Sequence, residues 1–565
     1  MALDLTKEQK EMGRKNFQAS AEELTRRGFM KSMAAGAAVV PVAAGAYFGY
    51  QSIQGKAVKA ALIGCGDEGG VLLGEHNPDY LKFIAACDIR PYNQKRIITG
   101  DPKVPLRKGF TKVYGKTYAQ DIESKHLYTD YKEMLQKEKD IEAVVIALPL
   151  HLHAPVAIEC LKAGKHVLCE KLMARTVSQC KEMIKVAKEN NRILSIGHQR
   201  HYSMLYAHAQ EALKSGILGD IKHIRALWHR NFSWPWSPDP REPEVAMSMI
   251  QPVIRDGWTP PIFQMDLEAL KDKLDSTLKD HRYGYKDIYE LIRWRLYQRT
   301  GGGLMAELGS HQLDACSIFL GKVHPLAVSG VGTRSFFGGL DTTPFKNNRS
   351  IDDHVFVTFE FPGANHPQGA NKGTDKNDIV VVTYSSISTN GFEAYGECVM
   401  GSRGTLLVEG ESQIMLYKEN DPTKKGIKPR ETAVTVTTSA ANKPMIEASS
   451  TWGGPSPAVA SGVTPAAGSP PPGTISRGYR EEMEDFAYCI RQWNEKTGYE
   501  QDASGKYVQR LPRCHGEVAM ADAILALTSN IAMKEHKRIE FKDSWFQAKS
   551  SEVPDANVDP SKILD

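Results

Sequence analysis

Several features that would quickly assign a function class are missing from this 565-residue chain. Its nine cysteines form no Cys-x-x-Cys pair, so the sequence predicts neither a zinc site nor a redox dithiol, and the odd number argues against a full disulfide framework. Cys65, Cys87 and Cys169 fall in or beside apolar, strand-like runs, which predicts buried and inert thiols. The formal net charge of +4 is small, and no dense run of Lys and Arg occurs, so nucleic-acid binding is not indicated.

A strongly hydrophobic run near the N-terminus is also missing. From Ser32 to Gly55 no residue is charged, yet Leu, Ile and Phe are scarce there. Arg26-Arg27 opens this stretch within Thr-Arg-Arg-Gly-Phe-Met-Lys, which is similar to a twin-arginine export signal. Ala44-Gly45-Ala46 supplies small residues for cleavage, whereas Met33–Tyr50, with 18 residues, is near the lower limit for a retained membrane anchor. We expect residues 1–55 to be a leader outside the fold, read by the twin-arginine export machinery, and the protein to be periplasmic or otherwise extracytoplasmic.

Beyond the leader, short apolar runs alternate with helical patterns as far as Ile196. The predicted strands are Ala57–Ile63, Phe83–Cys87, Ala143–Leu148, His166–Cys169 and Ile193–Ile196. Helices are predicted near Ala154–Ala163 and Thr176–Glu189. This alternation is typical of an α/β fold with a parallel sheet flanked by helices, and we assign residues 56–200 to a Rossmann dinucleotide-binding domain.

A glycine loop follows the first predicted strand and indicates a nucleotide site. Gly64, Gly66 and Gly69 have Gly-x-Gly-x-x-Gly spacing, and Asp88 ends the next strand 24 positions after Gly64. The three glycines allow a tight turn, close approach of a pyrophosphate and packing of helix on strand. Asp88 would accept hydrogen bonds from the ribose hydroxyls and repel a 2′-phosphate. The loop therefore predicts NAD rather than NADP, although the nearby Arg90 weakens that preference.

Two further motifs carry a resemblance to a known family. The first runs from Pro149-Leu-His-Leu-His153-Ala through Ala-Gly-Lys-His-Val-Leu-Cys-Glu170-Lys171. The second is a triple glycine followed by Glu307, Gly, His311 and, three positions later, Asp314. Together and in this order they resemble the Gfo/Idh/MocA oxidoreductases, over roughly residues 57–230, 290–410 and the closing helices.

This resemblance implies an N-terminal Rossmann domain followed by an α/β domain with a large open, mainly antiparallel sheet. That sheet would form the substrate floor and mediate homo-oligomer formation. The resemblance also implies that Lys171 lies beside the nicotinamide and that Glu307 and His311 face the substrate. Two positions depart from the family pattern: Leu172 replaces the usual proline, and Glu307 replaces the usual Asp.

The candidate residues fall into two sets. The catalytic candidates are Lys171, His311 and Glu307. The cofactor-binding candidates are Gly64, Gly66, Asp67, Glu68, Gly69, Asp88, Pro149, His153, Glu170, Lys171 and Gln199. No metal site is predicted.

The chemistry of these side chains suits oxidation of an alcohol, but each also has a structural interpretation. Lys171 would hold a substrate hydroxyl, or would simply pair with Glu170. His311 is expected to titrate near neutrality and serve as an acid or base. Asp314, on the same face of a helix, would be structural or would orient His311. Arg200 is as well explained by a structural ion pair.

Trp294 and Arg295 lie just before the triple glycine. They would stack on a sugar and hydrogen-bond it. Core packing explains Trp294 equally well.

The second domain is assigned to residues 201–545. Its predicted strands are Asp220–Trp228, Val355–Phe361, Asp378–Ser388, Gly396–Val399 and Thr405–Val408. Two closing helices, Arg480–Gln492 and His515–Lys534, are expected to pack back on this sheet.

Two insertions and a tail complete the organisation. The insertion at 231–285 begins with Trp234-Pro-Trp236 and is interpreted as a lid over the site or as a subunit contact. The insertion at 411–476 contains a Pro-, Ala-, Gly- and Ser-rich stretch, residues 451–473, that is typical of a flexible segment. The tail, residues 546–565, is expected to be loosely attached from Ser551 onward.

These features favour an exported oxidoreductase that moves hydride between a sugar or polyol hydroxyl and a tightly bound NAD. The substrate class includes free sugars and glycans. Two alternatives remain open: an NAD-assisted glycosidase or lyase acting by transient oxidation, and a sugar-binding protein without catalytic activity.

Overall fold

A computed structural model of the chain gives the fold. It describes residues 5–32, 45, 47–53, 55–231, 260, 262–270, 285, 287–337, 349–419, 429–431, 435–438, 444–447 and 477–556. Within these residues, no helix combines the length and apolar character needed to cross a bilayer. The Trp234-Pro-Trp236 loop, the Ala44-Gly45-Ala46 segment and residues 451–473 are not fully covered by this description.

The first domain is built on a six-stranded parallel sheet with the strand order β3-β2-β1-β4-β5-β6. Its strands are β1 Val58–Ile63, β2 Leu81–Cys87, β3 Leu127–Tyr128, β4 Ala143–Ile146, β5 His166–Glu170 and β6 Leu194–Gly197. Strands β1 and β4 are almost wholly buried, as expected when helices cover both faces of a parallel sheet. The Rossmann prediction is confirmed; only the two-residue strand β3 was not foreseen.

The second domain is built on an eight-stranded mixed sheet, mostly antiparallel, with the order β13-β12-β11-β7-β10-β9-β8-β16. Its strands are β7 Ile221–His229, β8 Ala327–Thr333, β9 His354–Pro362, β10 Ile379–Ile387, β11 Tyr395–Gly401, β12 Gly404–Glu409, β13 Gln413–Lys418 and β16 Ile539–Glu540. A separate hairpin pairs β14 Thr435–Thr438 with β15 Pro444–Glu447. Strand β13 lies in the segment assigned to an insertion, so the sheet extends further than predicted.

The helices cover these sheets. They are α1 Lys7–Ser32, α2 Asp67–Glu75, α3 Pro91–Thr99, α4 Gly109–Tyr114, α5 Lys116–Asp121, α6 Tyr131–Lys137, α7 His153–Lys162, α8 Val177–Glu189, α9 Met204–Lys214, α10 Ile288–Ile292, α11 Gln298–Gly301, α12 Ser310–Phe319, α13 Tyr479–Gln492 and α14 Gly516–Glu535. Single turns at Gln199–Tyr202 and Met305–Gly309 lie where the two domains meet. Residues 264–270, inside the insertion at 231–285, are also helical.

The two closing helices pack differently from the prediction. Helix α14 lies against β8 of the second sheet and against α8. Helix α13 instead packs on the first domain, where Met483 and Phe486 share a core with Val58 and Leu62. The expectation that both helices return to the second sheet is therefore wrong for α13. The core residues of α13 face β1 and β2, so the end of the chain completes the nucleotide-binding domain.

The start of the described chain is part of the fold, contrary to the expectation for residues 1–55. Helix α1 runs along β13, where Asn16 donates a hydrogen bond from Nδ2 to Leu416 O at 3.1 Å. Tyr417 Oη in turn donates to Gln9 O at 3.1 Å. The C-terminal tail is also docked, since Asp555 Oδ2 accepts a hydrogen bond from Val177 N at 2.7 Å. Loose attachment from residue 551 is thus wrong as far as residue 556.

Candidate active site

The glycine loop joins β1 to α2 with the geometry that its spacing predicts. Gly64 has φ +94°, and a Cβ there would lie 2.2 Å from Ala147 O. A Cβ on Gly69 would lie 2.0 Å from Gly64 O, so these two glycines are required by the protein itself. At Gly66 nothing in the described protein comes closer than 3.9 Å to such a Cβ. The open space is the place where a pyrophosphate approaches in this type of loop.

Two acidic residues stand in the first turn of α2, where a diphosphate would bind, and the surroundings of each act on its charge. Asp67 pairs with Arg96 at 2.8 Å and with Arg107 at 3.2 Å, and these cations hold the pKa of Asp67 below its usual value. Burial raises the pKa of Glu68. The helix N-terminus can therefore still favour an anion. Glu68 Oε1 is buried without a hydrogen-bond partner among the described residues.

Asp88 ends β2, and its carboxylate is held by the protein. Oδ2 accepts hydrogen bonds from Cys65 N at 2.7 Å and from Asn93 Nδ2 at 3.1 Å, and Oδ1 accepts one from Arg90 N at 2.8 Å. These bonds fix the carboxylate beside the glycine loop. The Arg90 guanidinium points elsewhere, because it pairs with the buried Asp266 at 2.8 Å. Arg90 is thus already engaged, which strengthens the preference for NAD over NADP.

The other cofactor candidates cluster at the carboxyl edge of the first sheet. Pro149 precedes a single turn after β4. His153 places its two ring nitrogens 2.7 Å from Leu172 O and 2.8 Å from Leu148 O, so it positions the chain around Lys171. Glu170 and Gln199 are buried, and each has one side-chain oxygen without a hydrogen-bond partner in the described structure.

Such buried acceptors suit a ligand rich in hydroxyl and amide donors. Glu68 Oε1, Glu170 Oε1 and Gln199 Oε1 are all of this kind. Together with the space above Gly66, they fit a dinucleotide.

Lys171 follows β5 and reaches across to the second domain. Its Nζ donates a hydrogen bond to the main-chain O of Glu307 at 2.8 Å. The Glu307 carboxylate accepts from Arg295 Nε at 3.1 Å, and the Arg295 guanidinium lies 4.2 Å from the ring centre of Trp294. The peptide bond from Lys171 to Leu172 is cis, at the position where the family pattern has proline. The structure therefore brings Lys171 and Glu307 together, with Arg295 as a third member.

His311 lies in the first turn of α12 and faces an aromatic wall. Its ring centre is 5.5 Å from that of Trp228, which stacks on Tyr395 at 4.7 Å. Burial, together with the positive charges of Lys171 and Arg200, lowers the pKa of His311 well below its usual value. These surroundings disfavour the charged imidazolium, whereas the sequence predicted a ring that titrates near neutrality. A neutral imidazole has one nitrogen that can accept a hydrogen bond.

Asp314 belongs to a different cluster from His311. Its Oδ1 accepts from His201 Nε2 at 2.8 Å and from Lys322 Nζ at 2.7 Å. Lys322 also binds Asp522 at 3.0 Å. Of the two interpretations given for Asp314, the structural one is confirmed and the orientation of His311 is wrong. His198, Asp314 and Asp522 are close enough to hold a metal ion, but Lys322 already supplies the positive charge there.

Arg200 ties the Rossmann domain to the second sheet. Its guanidinium is buried and binds Glu411 Oε1 at 2.6 Å and Glu397 Oε1 at 3.0 Å. It also donates to the main-chain O of His311. The structural ion-pair interpretation is confirmed, and the pair additionally supports the helix turn that carries His311.

Comparison with known proteins identifies both halves of this site. Residues 58–198 match the model described as the oxidoreductase family with an NAD-binding Rossmann fold. Residues 280–406 match the model of the GFO/IDH/MocA C-terminal domain. The chain thus matches one family model in each of its two domains, over residues 58–198 and 280–406. The resemblance drawn from the sequence motifs is confirmed, and the first domain is an NAD-binding domain.

Curated relatives match over part of their length. An inositol 2-dehydrogenase from Salmonella typhimurium is 31% identical over 191 residues, which is 33% of this chain and 50% of the relative. A levoglucosan dehydrogenase from Pseudarthrobacter phenanthrenivorans is 30% identical over 145 residues, 25% of this chain and 36% of the relative. This chain thus aligns with a third to a half of each of these relatives.

Solved structures share the fold over both domains. An inositol dehydrogenase homologue from Azotobacter vinelandii, complexed with NAD⁺, has a TM-score of 0.52 at 14% identity and covers 87% of this chain and 99% of its own. An oxidoreductase domain protein from Kribbella flavida has a TM-score of 0.52 at 15% identity, covering 86% of this chain and all of its own.

Some residues of the site were not foreseen. Trp228 was placed in a strand but not in the site, and Arg230, whose guanidinium lies 4.9 Å from the Trp228 ring centre, was not singled out. Along β7 every second side chain points to the same face of the sheet, so the strand pattern could have placed Trp228 on the face of the site. No such sequence pattern pointed to Asp266, which lies within the insertion at 231–285.

Proposed function

We propose that this protein is an NAD-dependent oxidoreductase that acts on a CH–OH group of a sugar or polyol. The observation that carries the proposal is the position of Lys171, whose Nζ lies 2.8 Å from Glu307 O at the carboxyl edge of the first sheet. His311 begins the helix that follows Glu307. The names of the relatives, which include inositol and levoglucosan dehydrogenases, support the substrate class.

Each side chain of the site has a separate role toward an alcohol substrate. When bound, NAD supplies the hydride acceptor, and the protein supplies orientation and proton transfer. The Lys171 ammonium can donate a hydrogen bond to the substrate oxygen and stabilise negative charge that develops on it. The neutral ring of His311 can accept a hydrogen bond from the substrate hydroxyl. The Glu307 carboxylate keeps Arg295 beside Trp294, where a planar cation and an indole offer a surface for a sugar ring.

Export with the cofactor already bound completes the proposal. Arg26-Arg27 lies in the N-terminal stretch with the pattern of a twin-arginine signal, and that pathway carries folded proteins. We expect no ready supply of NAD outside the cytoplasm, so the dinucleotide must stay bound between turnovers. A second substrate, or a later step on the same molecule, would then take the hydride back. Replacing Arg26-Arg27 by two lysines should keep the protein in the cytoplasm, as measured by cell fractionation.

Oligomer formation through the open sheet is the remaining element of the proposal. The face of the second sheet opposite α12 and α14 carries three exposed apolar side chains: Val331, Phe356 and Met400, which are 53%, 46% and 37% exposed. Helix α1 lies against the same face at Met415 and Tyr417. Light scattering on the native protein would give the mass; a monomer at micromolar concentration would contradict this part.

The activity is tested with protein purified natively and a panel of sugars and polyols, including glycans. We expect the nucleotide released on denaturation to be NAD. We also expect the substrate found in the panel to be oxidised or reduced. Lys171→Ala should lower kcat/KM roughly 100-fold or more, within the range of general acid–base contributions. Lys162→Ala, which removes an exposed lysine of α7, is the matched control. Full activity of Lys171→Ala would overturn the site assignment, and glycan cleavage without net NADH would favour the redox-assisted lyase.

A further inference from the structure

One part of the insertion at 231–285 is docked on the nucleotide-binding domain. Residues 262–270, here called the docked segment, lie against the start of α3. The carboxylate of Asp266 is fully buried; its Oδ2 accepts from Arg90 Nε at 2.9 Å and its Oδ1 accepts from Tyr92 N at 3.0 Å. Next to it, the Phe263 ring stacks on Tyr92 with ring centres 3.6 Å apart and planes 8° from parallel.

This contact lies beside Asp88, where the ribose of the cofactor is expected to bind. Arg90 follows Asp88 by two residues, and its own N–H donates to the Asp88 carboxylate at 2.8 Å. Arg90 therefore joins Asp88, through its main-chain N–H, to the docked segment, through its guanidinium. The bond to Asp266 is charge-assisted, and two guanidinium nitrogens converge on one oxygen, since Arg90 Nη2 lies 2.8 Å from the same Oδ2.

A second contact of the insertion lies further along the same sheet edge. The Tyr285 ring meets the His151 ring edge to face, with centres 5.1 Å apart. His151 belongs to the turn that follows β4, beside the glycine loop strand β1 in the sheet. The insertion thus touches the carboxyl edge after β2 and after β4, on either side of the strand that leads into the glycine loop.

We propose that the docked segment is a clamp on the adenosine end of the NAD site and that Asp266 is the residue that holds it closed. Release of the dinucleotide then requires the Arg90–Asp266 pair to separate. Separation leaves a buried carboxylate without its cation, which is costly in a protein interior. The clamp would explain how the cofactor stays bound outside the cytoplasm. This inference rests on the NAD binding of the proposed function, but not on the identity of the substrate.

The test measures nucleotide release rather than turnover. Asp266→Asn keeps the shape of the side chain and removes its charge, and Phe263→Ala removes the stacked ring and leaves Asp266 in place. Glu268→Gln makes the same carboxylate-to-amide change at an exposed position two residues further on, and is the control. NADH fluorescence after mixing with excess NAD gives the dissociation rate, and circular dichroism checks the fold.

We expect Asp266→Asn and Phe263→Ala each to raise the NADH dissociation rate roughly tenfold or more, as the loss of a charge-assisted bond or a packed ring predicts. Glu268→Gln should leave the rate within about twofold of the wild type, because an exposed charge contributes little. The wild type should retain more nucleotide through desalting than either variant. Unchanged release in both variants, with the fold intact, would overturn the clamp alone. A wild-type protein that binds no NAD would overturn the proposed function as well.

Discussion

The ammonium group of Lys171 is positioned by the main chain of another element. Its hydrogen bond goes to the carbonyl oxygen of Glu307, not to the carboxylate, so the side chain at position 307 is free for a second task. That task is the salt bridge to Arg295 at 3.1 Å. The longer reach of Glu compared with the family's usual Asp is therefore used toward Arg295. Position 307 contributes to the site through two different atoms.

This division predicts unequal effects of two substitutions. Glu307→Gln keeps the carbonyl oxygen and an acceptor for Arg295, so we expect kcat/KM to fall by less than roughly tenfold, the cost of weakening one charge-assisted hydrogen bond. Lys171→Met should cost roughly 100-fold or more, because it removes the group that we propose binds the substrate oxygen. Steady-state kinetics on the substrate found by screening measures both. Equal losses would mean that the Glu307 carboxylate itself transfers the proton.

At the scale of elements, the turn from β1 into α2 distinguishes glycines that the fold requires from the one that we propose serves the ligand. The missing side chains at Gly64 and Gly69 make room for the backbone of the protein, at Ala147 O and Gly64 O. No atom of the described chain occupies the space left by the missing side chain at Gly66. One short loop thus separates a folding requirement from a binding requirement.

Three substitutions to alanine test that separation. Gly66→Ala should leave the thermal midpoint nearly unchanged and greatly weaken NAD binding. Gly69→Ala should lower stability by about 1–3 kcal/mol, the usual cost of overpacking, because its Cβ meets rigid backbone. Gly70→Ala is the control, since its Cβ meets only the flexible Arg107 side chain, at 3.3 Å. Calorimetry and NADH titration are the measurements, and NAD binding by Gly66→Ala at wild-type affinity would contradict the assignment of the loop.

Local patterns predicted much of this architecture, and the reasons for the failures are physical. The strands, the glycine loop and Lys171 depend on residues near one another in the chain, so spacing was sufficient. Strand β8 was missed because Gly330 and Gly332 interrupt its pattern, and glycine weakens the strand signal. The contact made by Asp266 could not be predicted from local sequence patterns, because its partner, Arg90, is 176 positions away. The core shared by α13 and the first sheet is non-local in the same way.

Across the whole molecule, several histidines are held neutral by burial. The pKa of His198 is lowered to about 3, that of His166 to about 3 and that of His76 to about 4. In the unfolded chain each would bind a proton near pH 6.5. The unfolded state therefore takes up more protons below that pH, and stability is present above pH 6.5 and lost as pH falls toward the folded-state pKa.

His198 gives the cleanest test, because its ring is buried and neither nitrogen has a hydrogen-bond partner among the described residues. Between pH 7.5 and pH 5 its contribution to unfolding free energy should fall by about 2 kcal/mol, or 1.36 kcal/mol for each pH unit below 6.5. The His198→Gln variant should lose that much less stability than the wild type over the same interval, measured by urea unfolding. His536→Asn, an exposed helix-end change, is the control and should show the wild-type dependence. A wild-type slope in His198→Gln would contradict this account.

The cysteines described above as buried have one more consequence. All nine are free and none is at the surface, and burial raises the pKa of thiols such as Cys65 and Cys169, so the reactive thiolate is scarce. A folded molecule therefore offers no cysteine thiol to oxidants or to neighbouring chains. The thiols become accessible to reagents only when the molecule unfolds. The chain carries nine internal reporters of its own unfolding, readable with any thiol reagent and without an added label.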